Sequence, residues 1–244
     1  MGLADVTERE ALRIDSLEAM LPDGISSLLE IGSRDGRVTR MLVQHSQTVT
    51  ALDLEVPSLS LERVTCVQGD VTRLQFADES FDCVVCTEVL EHVPSLGQAC
   101  AELARVTKKW LLVGVPYDQD LRLGRMTCAE CGRVNPPYGH VNRFSEARLE
   151  ACFPSLKLER VAKLGSIKGA TNGVSSWLLD RSRNPWGTYD QQEPCMYCGA
   201  ALTPPNGRTV PERVMSKVAM NINKLQKRLA QPKAIWIHCL FSRV

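Results

Sequence analysis

Three runs in this 244-residue chain end in groups that could hold a nucleoside. The first is Glu30-Ile31-Gly32-Ser33-Arg34-Asp35-Gly36, which follows apolar Leu28 and Leu29. The second is Asp53-Leu54, where the acid stands seventeen residues beyond Gly36 at the end of another apolar run. The third is Gly69-Asp70-Val71. Glycine has no side chain, so the backbone at Gly32 and Gly36 can turn tightly and lie against a ligand. A carboxylate such as Asp53 can accept from two vicinal ribose hydroxyls at once. Glu30 stands at a strand end, where it can order the glycine loop or favour a cationic ligand. Strand, glycine turn, helix, strand, acid is the layout of a nucleoside-binding α/β unit.

A second constellation lies further along. Cys128-Ala129-Glu130-Cys131-Gly132 and Cys195-Met196-Tyr197-Cys198-Gly199 are two Cys-x-x-Cys-Gly units. Two intervening residues let both sulfurs face one ion, and the glycine permits the turn behind them. Together the units make the four thiolates of a tetrahedral zinc site, a stronger reading than a redox pair or unrelated thiols. A closed four-thiolate shell has no open position, so the expected role is structural. Cys83 and Cys86 also have this spacing, but within an apolar run that reads as a strand. There, positions three apart point to opposite faces, and both are expected in the core.

These groups need elements to position them. Buried strands are expected at residues 27–31, 48–52, 64–68, 81–86, 110–115, 156–164 and 234–241. Helices are expected at 4–20, 36–44, 95–106, 145–152, 175–180 and 211–230. Apolar, β-branched strands alternating with helices read as a largely parallel α/β sheet. Hydrophobic residues make up 44% of the chain, enough for a sizeable core, and the formal net charge of +1 argues against binding polyanions by bulk charge. No run reaches eighteen apolar residues, so no membrane span is expected, and the N-terminal residues do not read as a signal peptide. Ten cysteines without such a signal point to a reducing, cytoplasmic setting.

The ordered motifs resemble the class I S-adenosylmethionine-dependent methyltransferases of type 11/23. The resemblance rests on the Glu30–Gly36 loop, Asp53, Gly69-Asp70-Val71, and Phe81-Asp82-Cys83-Val84-Val85-Cys86-Thr87-Glu88-Val89-Leu90-Glu91-His92-Val93. It covers roughly residues 25–164 and the last strand. It implies a Rossmann-like seven-stranded sheet with an antiparallel last strand and helices on both faces. It also implies S-adenosyl-L-methionine as cofactor. Glu30, Gly32, Ser33, Gly36, Asp53, Leu54, Asp70, Val71, Thr87 and Glu88 are the residues expected to bind it. In that reading Asp70 accepts from the adenine amino group and the Val71 amide donates to a ring nitrogen. One departure is Arg34, at a position where the family usually has glycine; its side chain is expected to face solvent. The dinucleotide-binding alternative fits less well, because the loop is Gly-x-x-x-Gly and lacks the pyrophosphate cradle.

The expected organisation is one methyltransferase domain over 1–244. Its core is 25–117, 141–164 and 234–244, with zinc-linked insertions at 118–140 and 165–209 and a basic helix at 210–230. Methyl transfer to oxygen gains from a general base. His140, in Tyr138-Gly139-His140-Val141-Asn142-Arg143-Phe144-Ser145, is the first candidate, and His92 the second. His45 and His238 are expected to be inert or structural, and Tyr117 and Asp118 are weaker acceptor-side candidates. Residues 208–233 carry seven cations against the single acid Glu212. This reads as a solvated helix face before it reads as a phosphate-binding one. The expected acceptor is the hydroxyl of a sugar, glycan or small metabolite. A nucleic-acid methyltransferase is the alternative. It is disfavoured because few aromatics interleave the charges, and because Asn135-Pro136-Pro137-Tyr138 stands in the cysteine-bearing insertion, away from the fourth strand's end. A non-catalytic cofactor-binding protein is the third possibility.

Overall fold

The computed structural model describes residues 8–191 and 193–244. In chain order the elements are α1 (Glu8–Met20), β1 (Ile25–Ile31), α2 (Arg37–His45), β2 (Ser46–Asp53), β3 (Val64–Gln68), β4 (Phe81–Thr87), α3 (Leu96–Val106), β5 (Thr107–Pro116), β6 (Met126–Thr127), β7 (Val134–Asn135), α4 (Glu146–Cys152), β8 (Leu156–Leu164), α5 (Gly173–Arg181), α6 (Val210–Leu229) and β9 (Trp236–Arg243). Each expected strand and helix is present within about three residues at either end, among the described residues. The first residues of the expected N-terminal helix, 4–7, lie outside the described residues.

The chain divides into two compact units. The first comprises the described residues up to Asp118, with Phe144–Gly165 and Ala234–Val244. The second comprises Gln119–Arg143 and Ser166–Lys233. Both expected insertions and the basic helix fall mainly in the second unit; residues 118 and 165 belong to the first, and 141–143 to the second.

Unit 1 is built on a seven-stranded sheet in the order β3-β2-β1-β4-β5-β9-β8. Strand β9 runs antiparallel to both of its neighbours, β5 and β8. All seven residues of the central strand β4 are buried, as expected of a strand covered on both faces. Its side chains alternate between two cores. Val84 and Cys86 join Leu29, Leu103, Leu111 and Phe241 on one face. Cys83 and Val85 join Leu17 of α1 and Leu42 of α2 on the other. The two cysteines therefore do point to opposite faces. Each such fully buried apolar side chain contributes about 1.5–3 kcal/mol relative to leaving it in water.

Unit 2 has far less apolar filling. Its buried hydrophobic cluster is Met126, Cys128, Cys195 and Leu202. The β6–β7 hairpin supplies the first knuckle. Helices α5 and α6 each begin with a reciprocal cap. Asn172 and Ser175 exchange hydrogen bonds at the start of α5, and Thr209 and Glu212 do so at α6. Both arrangements satisfy N–H groups that the first helical turn cannot pair internally. An isolated bridge between Ile167 and Lys233 joins the two ends of the longer segment. None of the described helices is long and apolar enough to cross a membrane.

Candidate cofactor site and cysteine cluster

The carboxyl ends of β1, β2 and β4 form one rim, because these strands are parallel neighbours. After β1 the chain reverses through Gly32 (φ +80°) and Gly36 (φ +74°). A Cβ at Gly32 would stand 2.3 Å from Val89 Cγ2. Glycine is thus required there both by dihedral and by space. Arg34 also takes a left-handed conformation (φ +41°), and it is exposed, as expected.

Asp53, the last residue of β2, clasps this loop. Its Oδ2 accepts from Arg34 N at 2.8 Å and its Oδ1 accepts from Leu54 N at 2.7 Å. One lone pair per oxygen remains for a further donor. Leu54 itself is 68% exposed. Asp70, past β3, accepts from Thr72 N and Thr72 Oγ1 through Oδ1 alone. Those hydrogen bonds hold its carboxyl below the usual range. Val71 packs into the core.

The interior of the rim is acidic. Glu30 is buried and accepts from Thr39 Oγ1 at 2.6 Å. Burial pushes its carboxyl up to about 7 despite that bond, with Asp53 and Asp35 adding repulsion. Glu88, with φ +55°, follows Thr87 at the end of β4. It accepts from Trp236 Nε1 at 3.3 Å and is likewise pushed up to about 7, chiefly by burial. Glu91 is fully buried, with no hydrogen-bond partner for either oxygen. Burial and then Glu88 raise its carboxyl well above the ordinary value. Ser33 Oγ and Glu88 Oε1 are also buried and unpartnered. Buried acids without partners are costly unless a ligand completes them. Protonation at neutral pH is one way to reduce that cost, and a cationic ligand is another.

Comparison with known proteins shows similarity to methyltransferases over part of the sequence and in the fold. Residues 29–110 match the methyltransferase domain family. Ubiquinone biosynthesis O-methyltransferase from Paracidovorax citrulli is 30% identical over 112 residues, covering 40% of this chain and 47% of the relative. The chain thus matches about half the length of that curated relative. The solved structure of the N-methyltransferase NodS from Bradyrhizobium japonicum, in complex with S-adenosyl-L-homocysteine, has a TM-score of 0.55 at 15% identity. That superposition covers 98% of this chain and 90% of NodS.

This is a class I methyltransferase fold.

The fold alone does not set the reaction. The cyclase SpnF superposes with a TM-score of 0.55 at 13% identity, covering 97% of this chain and 82% of SpnF.

Other features of the methyltransferase fold were hidden in the sequence. Arg13 of α1 is buried and paired with Glu10 at 2.5 Å. Its charge lowers the cost of ionising Glu88 and Glu91. Only a cation on the apolar side of an amphipathic helix could have pointed to it. His238 is fully buried, meets Ser16 Oγ at 3.0 Å, and is held neutral with its pKa pushed down to about 3 by burial. His45 pairs with Glu18 on the surface. Tyr117 packs against the core, with Lys163 Nζ 5.0 Å over its ring. His92 closes the single turn Leu90–His92 after β4.

In unit 2, His140 is buried, and its Nδ1 lies 2.5 Å from Gln119 Oε1. The four cysteine sulfurs come together within 4.8 Å of one another. Cys128 Sγ–Cys198 Sγ and Cys131 Sγ–Cys195 Sγ are both 3.7 Å apart. The two knuckles have one geometry. Gly132 and Gly199 are left-handed, and their amides donate to the carbonyls of Cys128 and Cys195. Asn135 braces the cluster, since its Nδ2 donates to Cys195 Sγ at 3.4 Å and its Oδ1 accepts from Met196 N at 3.0 Å. The Asn135-Pro136-Pro137-Tyr138 string thus has a structural use here.

Proposed function

We propose that this protein is an S-adenosylmethionine-dependent methyltransferase acting on the hydroxyl oxygen of a sugar, glycan or small metabolite. The observation that carries this reading is the Asp53 carboxylate. It is fixed by two backbone amides beside a left-handed glycine loop, with accepting capacity left on each oxygen. The O-methyltransferase name of the relative supports an oxygen acceptor.

The cofactor supplies an activated methyl group on a sulfonium. The chain's task is to hold both partners near attack distance. Asp53 takes the ribose hydroxyls, with Leu54 beside it. Asp70 takes the adenine amino group through its second oxygen, and the Val71 amide faces the ring. Gly32, Ser33 and Gly36 line the methionine portion, and Glu30 orders that loop through Thr39. Thr87 and Glu88 lie at the ammonium end, where a buried carboxylate favours positive charge. An imidazole is the proposed base for the acceptor hydroxyl: His140 first, His92 second.

The four thiolates are proposed to hold structural zinc. With sulfur about 2.3 Å from zinc, a regular tetrahedron has edges of about 3.8 Å. The 3.7 Å separations of two of the sulfur pairs fit that figure.

The test couples binding to turnover. Asp53→Ala should weaken S-adenosylhomocysteine binding about 100-fold by calorimetry, since two hydrogen bonds to a charged group are lost; unchanged affinity rejects the site. Mass spectrometry with isotopically labelled cofactor and panels of phenols, sugars and oligosaccharides should show label on oxygen. His140→Ala should slow transfer while leaving S-adenosylhomocysteine affinity intact. If transfer is unaffected, His140 is not the base and His92→Ala becomes the next variant.

A further inference from the structure

Unit 2 contains a cavity of about 410 Å³ that the cofactor reading leaves unused. Its volume lies in the range of small-molecule sites. The segment around Arg125, the loop at Lys168, the turn at Trp186 and one side of α6 enclose it. Four cationic side chains line it, Arg125, Lys168, Lys224 and Lys227, and no acid does. Arg125 is neutralised by Asp180 at 2.9 Å. The three lysines form no ion pair among the described residues, so their charge is uncompensated.

Two further observations separate this from a solvated helix face. Asn223 lines the cavity at 9% exposure, and its Oδ1 has no hydrogen-bond partner. A buried acceptor in that state awaits a donor. Trp186, 49% exposed, offers an indole surface on the same cavity. Clustered ammonium groups bind phosphate as point charges. An indole stacks on a sugar or heterocycle, and an amide oxygen accepts from a ring hydroxyl or N–H.

We propose that this cavity binds a phosphate- or diphosphate-bearing ring compound. Lys168, Lys224 and Lys227 take the phosphate oxygens, Trp186 stacks on the ring, and Asn223 accepts from it. The phosphate has two possible sources, a free nucleotide-type molecule or a lipid headgroup.

The experiment titrates the full chain with pyrophosphate and with uridine diphosphate by calorimetry. In parallel, it is sedimented with phosphatidylcholine vesicles containing phosphatidylinositol 4-phosphate, whose headgroup carries both a phosphate and a hydroxylated ring. Uridine diphosphate should bind saturably. The double variant Lys224→Glu/Lys227→Glu should weaken it at least about tenfold, the effect of removing about 1.4 kcal/mol. Lys217→Glu/Arg228→Glu makes the same charge change on exposed positions of α6 outside the cavity and should change binding about twofold or less. Trp186→Ala should weaken uridine diphosphate more than pyrophosphate. Vesicle binding lost only in Lys224→Glu/Lys227→Glu, without nucleotide binding, supports the site and identifies its source as a lipid headgroup. No saturable binding of any probe overturns the proposal, as does equal weakening by both double variants. Melting curves verify folding of each variant. S-adenosylhomocysteine affinity, measured on the same proteins, reports on the cofactor site separately.

Discussion

The two units are held together by different physics. Unit 1 buries aliphatic and aromatic side chains on both faces of its sheet, and confines its awkward charges, Glu30, Glu88 and Glu91, to one rim. Unit 2 buries only a small apolar cluster, and gathers four thiols and several amides instead. The lesson is that one chain can divide its labour. The hydrophobic unit tolerates strained, charged positions at that rim because its core supports them. On the zinc reading proposed above, the small unit would depend on coordination for its order.

That contrast makes predictions, of which the largest concerns metal. Chelation, or Cys195→Ser, should remove bound metal and expose the segments of unit 2 to protease. Structural zinc sites are worth on the order of 10 kcal/mol. Unit 1 should keep its secondary structure and its affinity for S-adenosylhomocysteine. Loss of that affinity on chelation would show that the two kinds of stability are not separate.

The next prediction uses pH and should act on unit 1 alone. An ordinary glutamate releases its proton near 4.5, whereas Glu30 in the folded protein holds it until about 7. As pH rises from 4.5 to 7, the unfolded chain releases this proton first, so stability is lost across that window. The loss is about 3 kcal/mol, since each pKa unit is worth about 1.4 kcal/mol. Glu30→Gln should lessen this slope, leaving the part due to Glu88 and Glu91, read as urea midpoints from pH 5 to 8 in wild type and variant. An equal slope in both proteins would show that Glu30 is not the source. Smallest is Arg34→Gly. It removes a left-handed non-glycine residue and should raise unfolding free energy by up to about 1 kcal/mol. A lowered melting temperature would mean that the Arg34 side chain does more than meet solvent.

Much of unit 1 was legible because its signals are local. Apolar runs mark the strands, and Glu30, Gly32, Gly36, Asp53 and Asp70 mark their carboxyl ends, where parallel strands collect ligand groups. The cysteine knuckles were legible because two residues and a glycine specify their turn. What could not be read depends on distant partners. Nothing in the sequence around Glu91 shows that both of its oxygens are buried without hydrogen bonds. Nothing around Arg13 shows that its charge reaches Glu88. The brace from Asn135 to Cys195 joins residues 60 apart in sequence. The lysines of α6 read as a solvated face; only the folded unit shows that Lys224 and Lys227 share a cavity with Lys168, Asn223 and Trp186.

The order of the knuckles along the chain has one more effect. Cys131 and Cys195 flank α4 and β8, which belong to unit 1. The zinc proposed for the knuckles would tie that stretch into a ring even when the sheet has melted. By the entropy relation for cross-linked loops, a ring of this size restricts the denatured chain by about 4 kcal/mol. The sheet edge would thus be tethered by an ion bound wholly outside its own unit.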